Sequence, residues 1–397
     1  MKIKIDAKNS ILLIIFSIFI FGYTIRVSTI PSLQYISILF IIGLIGYLYC
    51  NRKNISIKNL IIVLVFMSST LISDFINEVS VNQWILYFFM NTLSLFILIV
   101  NEDKIKMNSL NIKLLIKKFN LFIFIIFGIY LFDLFTSSMI MKFLSGKFIH
   151  SISMWVPQDT PLFNSRYASY IGHYLYTDFV YLSFYSINTL YNKYFEDYSI
   201  KSFYLNIISI VGVISTGSKT GLLVLFLLII IFNGKKVKTI LVMIIGVFGL
   251  YVLGFFNIVL NRVQTENFST GRFESWKHIL ELNVLKINIF HGIGDDFFSY
   301  INQFVDFGTS GIITEFPVFC MLFKVGVIGF CCYMLILLII PICKLIKKKS
   351  IYGALVLALL FFVMGSYNGL LAYPDTQILY ELVIVFTFLI INSSKQI

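Results

Sequence analysis

The stretch PVFCMLFKVGVIGFCCYMLILLIIPI, residues 317–342, runs for 26 residues with a single charge, Lys324, and then meets CKLIKKK at 343–349. About 20 apolar residues cross the hydrocarbon core of a bilayer as a helix. A block of lysines directly after such a run stays on the cytoplasmic side. Working outward from this segment, apolar runs of similar size recur between short polar or basic clusters. They are, in order, Ile11 to Ile30, Leu33 to Cys50, Leu60 to Ile76, Trp84 to Val100, Leu121 to Ile140, Ala168 to Leu190, Phe203 to Thr216, Gly221 to Phe232, Thr239 to Phe256, Pro317 to Ile342, Ile351 to Leu371 and Ile378 to Ile391. This pattern predicts an all-α, polytopic integral membrane protein with about 12 transmembrane helices. The seventh and eighth runs are short and meet at Thr216-Gly217-Ser218-Lys219-Thr220, so one of them is expected to be broken or re-entrant.

Composition agrees. Of 397 residues, 58% are hydrophobic and 13% charged, too few polar side chains to coat water-soluble cores. The net charge of +12 lies in short clusters between apolar runs and not on one polar face, which reads as membrane topology and excludes a nucleic-acid partner. Cys50, Cys320, Cys331, Cys332 and Cys343 lie in or beside apolar runs without Cys-x-x-Cys or Cys/His spacing, so neither a disulfide framework nor a metal site is expected. The first run follows Lys2, Lys4 and Lys8 as in a signal peptide, but no small-x-small cleavage site precedes the next run, and it reads as a retained span.

With the N-terminus inside, the lysine clusters around 52–58, 104–118, 193–201, 235–238 and 344–349 all fall on one side. Both chain ends are then expected in the cytoplasm. No internal repeat or linker divides the chain, which reads as a single polytopic domain, 1–397, with long extracytoplasmic loops at about 141–167 and 257–315. Loops of that length in a compact membrane protein are usually functional or disordered.

The second loop carries Thr270-Gly271-Arg272-Phe273-Glu274-Ser275-Trp276, then His291-Gly292-Ile293-Gly294-Asp295, then Asp306 and Glu315. Phe273, Trp276, Ile279, Leu280, Val284 and Leu285 recur at helical spacing behind Ser269-Thr270-Gly271, which predicts a helix inside the loop. An arginine at a membrane surface offers a planar fork of donors to phosphate oxygens, and glycines let backbone approach an anion closely. A lipid pyrophosphate suits that chemistry. An Arg272–Glu274 ion pair and a plain turn at Gly292 and Gly294 are the structural alternatives.

The first loop ends Asn164-Ser165-Arg166-Tyr167-Ala168-Ser169-Tyr170-Ile171-Gly172-His173 and enters the sixth span, where His173 and Asp178 lie among tyrosines. Ionisable groups inside a span usually face a cavity or pathway, which makes His173 a candidate against the alternative of a histidine satisfied between packed helices. Asp74, Asp133 and Glu381 are further intramembrane acids without a motif. The segment Ser215-Thr216-Gly217-Ser218-Lys219-Thr220-Gly221 contains Gly-x-Lys-Thr but lacks the first glycine and preceding strand of a P-loop, so no nucleotide site is expected. Lys219 either binds an outward-facing phosphate at a helix N-terminus or snorkels to the interface.

Together these pieces, from Arg166 to about Leu338, resemble the O-antigen and capsule polymerase family (Wzy type), which is related to the O-antigen ligases. Four features carry the resemblance: Arg166 with Gly172-His173; the Ser215–Gly221 turn; Gly271-Arg272-Phe273 with Trp276 followed by Gly292-Ile293-Gly294; and Gly326-Val327-Ile328-Gly329 opening a late span. The resemblance implies a GT-C-like glycosyltransferase in the bacterial cytoplasmic membrane, without a cofactor. It would transfer a growing glycan from undecaprenyl pyrophosphate to a hydroxyl of the next lipid-linked repeat. A chain-length regulator and a flippase of the same pathway would be partners. Arg272 and Arg166 would stabilise the departing pyrophosphate, with Arg262 and Lys219 as helpers and His291, Gly292, Gly294 and Asp306 beside the substrate. Many relatives place a His-Asn pair where this chain has Glu315-Phe316, and a more usual arginine where it has Lys219. Glu315 then stands as general base, with His173, His291 and Asp306 as rivals. A flippase for lipid-linked oligosaccharide, an O-antigen ligase and a membrane scaffold are the competing readings.

Overall fold

The computed structural model describes residues 6–29, 37–147, 166–195, 197–233, 251–252, 256, 260, 271–367 and 374–394. Among the described residues every regular element is helical, apart from one antiparallel bridge between Ile55 and Val100. The helices are α1 Ala7–Phe19, α2 Tyr23–Thr29, α3 Ile38–Cys50, α4 Ile57–Ile76, α5 Val81–Tyr87, α6 Ser109–Phe135, α7 Met139–Lys147, α8 Tyr174–Tyr194, α9 Ser202–Ser215, α10 Lys219–Asn233, α11 Arg272–Glu281, α12 Phe297–Ile301, α13 Phe307–Thr314, α14 Pro317–Met334, α15 Ile340–Lys347, α16 Ile351–Met364 and α17 Pro374–Ser394. Their starts follow from short polar side chains that accept the first free amides: Asp6 from Asn9 at 2.6 Å, Ser56 from Asn59 at 3.3 Å and Asn108 from Asn111 at 2.9 Å.

Four helical stretches are long and apolar enough to cross a membrane: Ile57–Ile76, Ser109–Phe135, Pro317–Lys347 and Pro374–Ser394. Ala7–Phe19, Ile38–Cys50, Ser202–Ser215, Lys219–Asn233 and Ile351–Met364 are shorter apolar helices. The chain is thus an all-helical membrane protein. Its helices depart from the expected spans in instructive places. The fourth run winds as α5, a π turn over Phe88–Thr92 and a 3-10 stretch over Ser94–Ile99. That irregular backbone is buried against protein, where Gln377 donates to the Asn91 carbonyl at 3.1 Å. The sixth run begins its helix only at Tyr174. The seventh and eighth runs form helices of 14 and 15 residues, each short for a bilayer span, joined at Gly217 (φ 64). A break inside a helix falls at Gly326, within α14, whose φ of 76 and ψ of 177 interrupt it. Most of the ninth run, Thr239 to Phe256, lies outside the described residues.

The axis of the bundle is α17 with α8 packed against it. Every residue of α17 from Pro374 to Ser393 is buried, which explains why an intramembrane helix carries Gln377, Glu381, Thr387 and Asn392. Such groups need protein partners. Gln377 donates to Ser94 Oγ at 2.8 Å and accepts from the Tyr333 hydroxyl at 3.0 Å, while Ser94 donates to Glu381 at 2.9 Å. Along α8, Asn188 exchanges amide bonds of 2.8 Å with Asn120 of α6.

One end of the bundle gathers lysines. Lys344 bonds Glu102 at 2.5 Å, Lys348 bonds Asp103 at 3.0 Å, Lys113 pairs with Asp197, and the Lys193 ammonium sits 3.7 Å from the Tyr352 ring centre. Burial pushes the Glu102 carboxyl above the usual carboxylate range, and Lys344 draws it partly back. The Lys113 hydrogen bond, with the Tyr198 amide, holds the Asp197 carboxyl below that range. The four lysines belong to clusters that the sequence reading placed on one side.

Candidate functional site

The candidate residues fall into two neighbourhoods. The first is built where the chain enters α8. Before that helix, residues 166–173 make a tight turn with Ser169 (φ 57) and Gly172 (φ 88) in the left-handed region. The turn folds back onto the end of α9: the Tyr167 amide donates to the Ser215 carbonyl and Arg166 Nε donates to the Thr216 carbonyl, each at 2.9 Å. Two motifs 50 residues apart in sequence are therefore in direct contact. The Arg166 guanidinium lies 3.1 Å from the Tyr174 ring centre, a cation–π contact. His173 precedes α8, is buried, and stacks between Tyr174 (4.7 Å) and Tyr367 (6.0 Å).

Across the same turn, Ser218 accepts the Gly221 amide at 2.9 Å and so caps α10, which Lys219 opens. The Asp178 carboxylate is pressed against Gly221, where any Cβ would overlap it. Beyond Tyr367, whose hydroxyl donates to Thr376 at 3.3 Å, the buried pair Arg26–Asp375 closes the cluster at 3.1 Å, with the Tyr23 amide donating to the same carboxylate at 2.6 Å. Arg26 and Asp375 were not singled out in the sequence. An arginine at the end of the first apolar run and an aspartate at the start of the last one were the available signals.

The second neighbourhood is the loop segment of residues 271–315. Its predicted helix forms as α11, beginning at Arg272 behind Gly271 (φ 79) and ending at Glu281, before Val284 and Leu285. Trp276, Ile279, Phe297, Ile301, Ile313, Cys320 and Phe323 make a small core that seats α11, α12 and α13 on the start of α14. Trp276 anchors it by donating to the Ile313 carbonyl at 3.2 Å. On this base Arg272 and Glu315 meet: Nε and Nη2 both donate to Oε2, at 2.6 and 2.5 Å. The partner of Arg272 is thus Glu315, 43 residues on, and not Glu274. Both side chains are partly exposed, at 17% and 30%. Beside them an apolar groove of about 680 Å³ runs between α11 and the first turns of α14.

The glycine motifs serve a different purpose in this arrangement. Residues 288–294 run alongside the break in α14 and pair with it through backbone. Val327 and Ile328 amides donate to the Asn288 and Ile289 carbonyls at 3.0 Å, and Ile293 and Gly294 amides donate to the Phe323 and Lys324 carbonyls at 2.8 and 2.9 Å. The Gly292 amide goes to Ser73 Oγ (2.9 Å) and the Asp295 amide to Asp74 Oδ1 (2.6 Å). Every amide from Gly292 to Asp295 is committed within the protein. Glycine is needed at Gly292 and Gly326 because a Cβ would strike the facing backbone. Beneath this seam Lys324 pairs with buried Asp295 and lies 4.8 Å from the Tyr87 ring centre.

The remaining described candidates, His291 and Asp306, make local contacts of their own. His291 Nε2 bonds the Asn288 side-chain amide at 3.0 Å. Asp306 is exposed and accepts the Thr309 amide at 3.4 Å; hydrogen bonds from Thr309 hold its carboxyl below the usual range. Arg262 lies outside the described residues. Among the described residues no group of three or more His, Cys, Asp or Glu side chains is arranged to hold a metal ion. Compared with protein-family models, curated proteins and solved structures, the chain matches none.

Proposed function

We propose that the chain is a polysaccharide polymerase that joins undecaprenyl-pyrophosphate-linked oligosaccharide repeats on the outer side of a bacterial cytoplasmic membrane, with about 12 spans and both termini inside. In the reaction an acceptor sugar hydroxyl attacks the anomeric carbon of the donor glycan. A carbon–oxygen bond to the new sugar forms, the bond to the pyrophosphate breaks, and the hydroxyl proton passes to a base. Arg272 neutralises the charge growing on the departing pyrophosphate, the contribution that dominates such leaving-group chemistry. Glu315 takes the proton. Arg166, fixed on the Thr216 carbonyl and over Tyr174, provides a second guanidinium for a phosphate or a glycan.

The observation that carries this reading is the meeting of Arg272 and Glu315 beside an apolar groove. A phosphate-seeking cation, a carboxylate and a hydrocarbon-lined channel are what a lipid-linked glycan donor requires. The test is a gel ladder of surface polysaccharide from cells lacking the gene, complemented with the wild-type chain or with Arg272→Ala. Deletion and Arg272→Ala should leave single-repeat bands, with the ladder restored by the wild type alone; an unchanged ladder in Arg272→Ala sinks the proposal. A ligase would instead leave the acceptor bare.

A second reading, a flippase for lipid-linked oligosaccharide, draws on the break at Gly326 with the Lys324–Asp295 pair beneath it, because transporters often build sites from discontinuous helices. Accumulation of lipid-linked repeats on the cytoplasmic face after deletion would favour it.

A further inference from the structure

Where residues 288–295 meet the break in α14, three ionisable side chains from distant parts of the chain are buried together: Asp74 in the last turn of α4, Asp295 of the loop and Lys324 of α14, each at most 5% exposed. Lys324 pairs with Asp295. The Asp295 amide donates to Asp74 Oδ1 at 2.6 Å, and Gly294 (φ 84) brings the backbone so close that an added Cβ would meet the same oxygen at 2.7 Å. The two carboxyls are thereby held within hydrogen-bonding reach of each other. Asp74 Oδ2 is buried and, among the described residues, has no hydrogen-bond partner. Tyr87 of α5, whose ring faces the Lys324 ammonium, and Cys320, one turn earlier in α14, are the other titratable groups beside Lys324, and neither brings a second positive charge. Of the nearby residues in the chain, Glu78 is exposed, Asp296 is half-buried and His291 turns to Asn288.

Two carboxylates and one ammonium leave a net negative charge away from water, and two carboxylates in contact have only acceptor oxygens to offer each other. A single proton relieves both. We propose that Asp74 and Asp295 share one proton, and that this proton latches residues 288–295 onto the break in α14. Bound, it makes the cluster neutral and turns the carboxyl contact into a hydrogen bond. Lost, it leaves two like charges in contact, and their repulsion works against the bonds that residues 292–295 make to Ser73, Asp74 and α14. Asp74 lies about 25 Å along α4 from Ile57, at the end away from the lysines, so the proton exchanges with the solution on that side.

Asp74→Asn is the informative variant, because the amide keeps the Oδ1 acceptor and supplies a permanent N–H donor in place of the proton. In infrared spectra of the full-length chain in detergent at about pH 6, where an ordinary aspartate is ionised, the wild type minus Asp74→Asn should show the C=O band of an un-ionised carboxyl, shifted in D2O. A difference made only of carboxylate bands overturns the proposal. The folded chain holds a proton that the unfolded chain has already released, so the latch weakens as the pH rises. Between about pH 6 and about pH 9, hydrogen–deuterium exchange of peptides covering 288–295, corrected for the intrinsic rate, should quicken at least about tenfold in the wild type and stay level in Asp74→Asn. Wild-type exchange that does not quicken overturns the latch without any variant. Equal quickening in both proteins assigns the opening to another group and overturns it as well. Neither readout needs a substrate, so the latch stands or falls apart from the polymerase reading.

Discussion

Lys324 ties the loop to α14 through a buried charge pair. Its ammonium is buried with Asp295, whose amide in turn holds Asp74. Removing one partner of a buried charge set leaves the rest uncompensated, at a typical cost of about 3–5 kcal/mol, whereas removing the whole set is often nearly neutral. Lys324→Met should therefore lower the thermal unfolding midpoint in detergent sharply, and Lys324→Met/Asp295→Asn/Asp74→Asn should recover most of the loss. A triple variant as unstable as the single one would show that the charges do not compensate one another. The sequence displayed Lys324 as the one charge in its apolar run and Asp295 at the end of the motif His291-Gly292-Ile293-Gly294-Asp295, 29 residues earlier, but nothing in it coupled the two. The Arg272–Glu274 alternative had a readable weakness, since residues two apart on a helix point to different faces. Glu315 itself was legible as a carboxylate at the mouth of a span, although its bond to Arg272 was not.

At the scale of elements, the apolar runs matched the helix starts at Pro317 and Ile351 but missed α6, which begins at Ser109 and not at Leu121, and the loop helix behind Gly271 was visible from its aromatic spacing. The break in α14 was not, because apolar residues continue on both sides of it. The motif Gly326–Gly329 was expected to open a span, and it stands at the kink that joins two helical segments, where the loop's backbone lies alongside. Glycine substitutions separate backbone strain from that contact. Gly271 has φ 79 and, among the described residues, nothing within 4 Å of an added Cβ, so Gly271→Ala should cost about 1–2 kcal/mol from the left-handed conformation alone. At Gly326 the added Cβ also meets the His291 backbone at 2.8 Å, and Gly326→Ala should cost clearly more. Thermal unfolding of the two variants compares them; equal losses would mean that the loop does not rest on the break.

Across the whole molecule the lysine contacts collect at one end: Lys113, Lys193, Lys344 and Lys348 are all engaged there, and residues 54–56 join it through backbone bonds to residues 99–101. The loop with Arg272 adjoins the opposite end of Pro317–Lys347. If the lysines face the cytoplasm, a membrane-impermeant maleimide should label Asp306→Cys in intact cells of a cysteine-free background. It should label Lys53→Cys only after permeabilisation; the opposite pattern would invert the topology. Charge clustering made the gathering of these lysines legible from the sequence. The centrality of α8 was not, since hydropathy scores a tyrosine-rich helix poorly whether it faces lipid or other helices.

The position of α17 also bears on how the protein is made. The helix that every neighbour surrounds comes after them in the chain, so the ribosome delivers the wall before the axle. Until Pro374–Ser394 is inserted, Ser94, Asn91 and Tyr333 wait in the bilayer without the side chains of Gln377 and Glu381 that they bond in the finished protein. A chain truncated before Pro374 would lack the helix that supplies Gln377 and Glu381 to these partners.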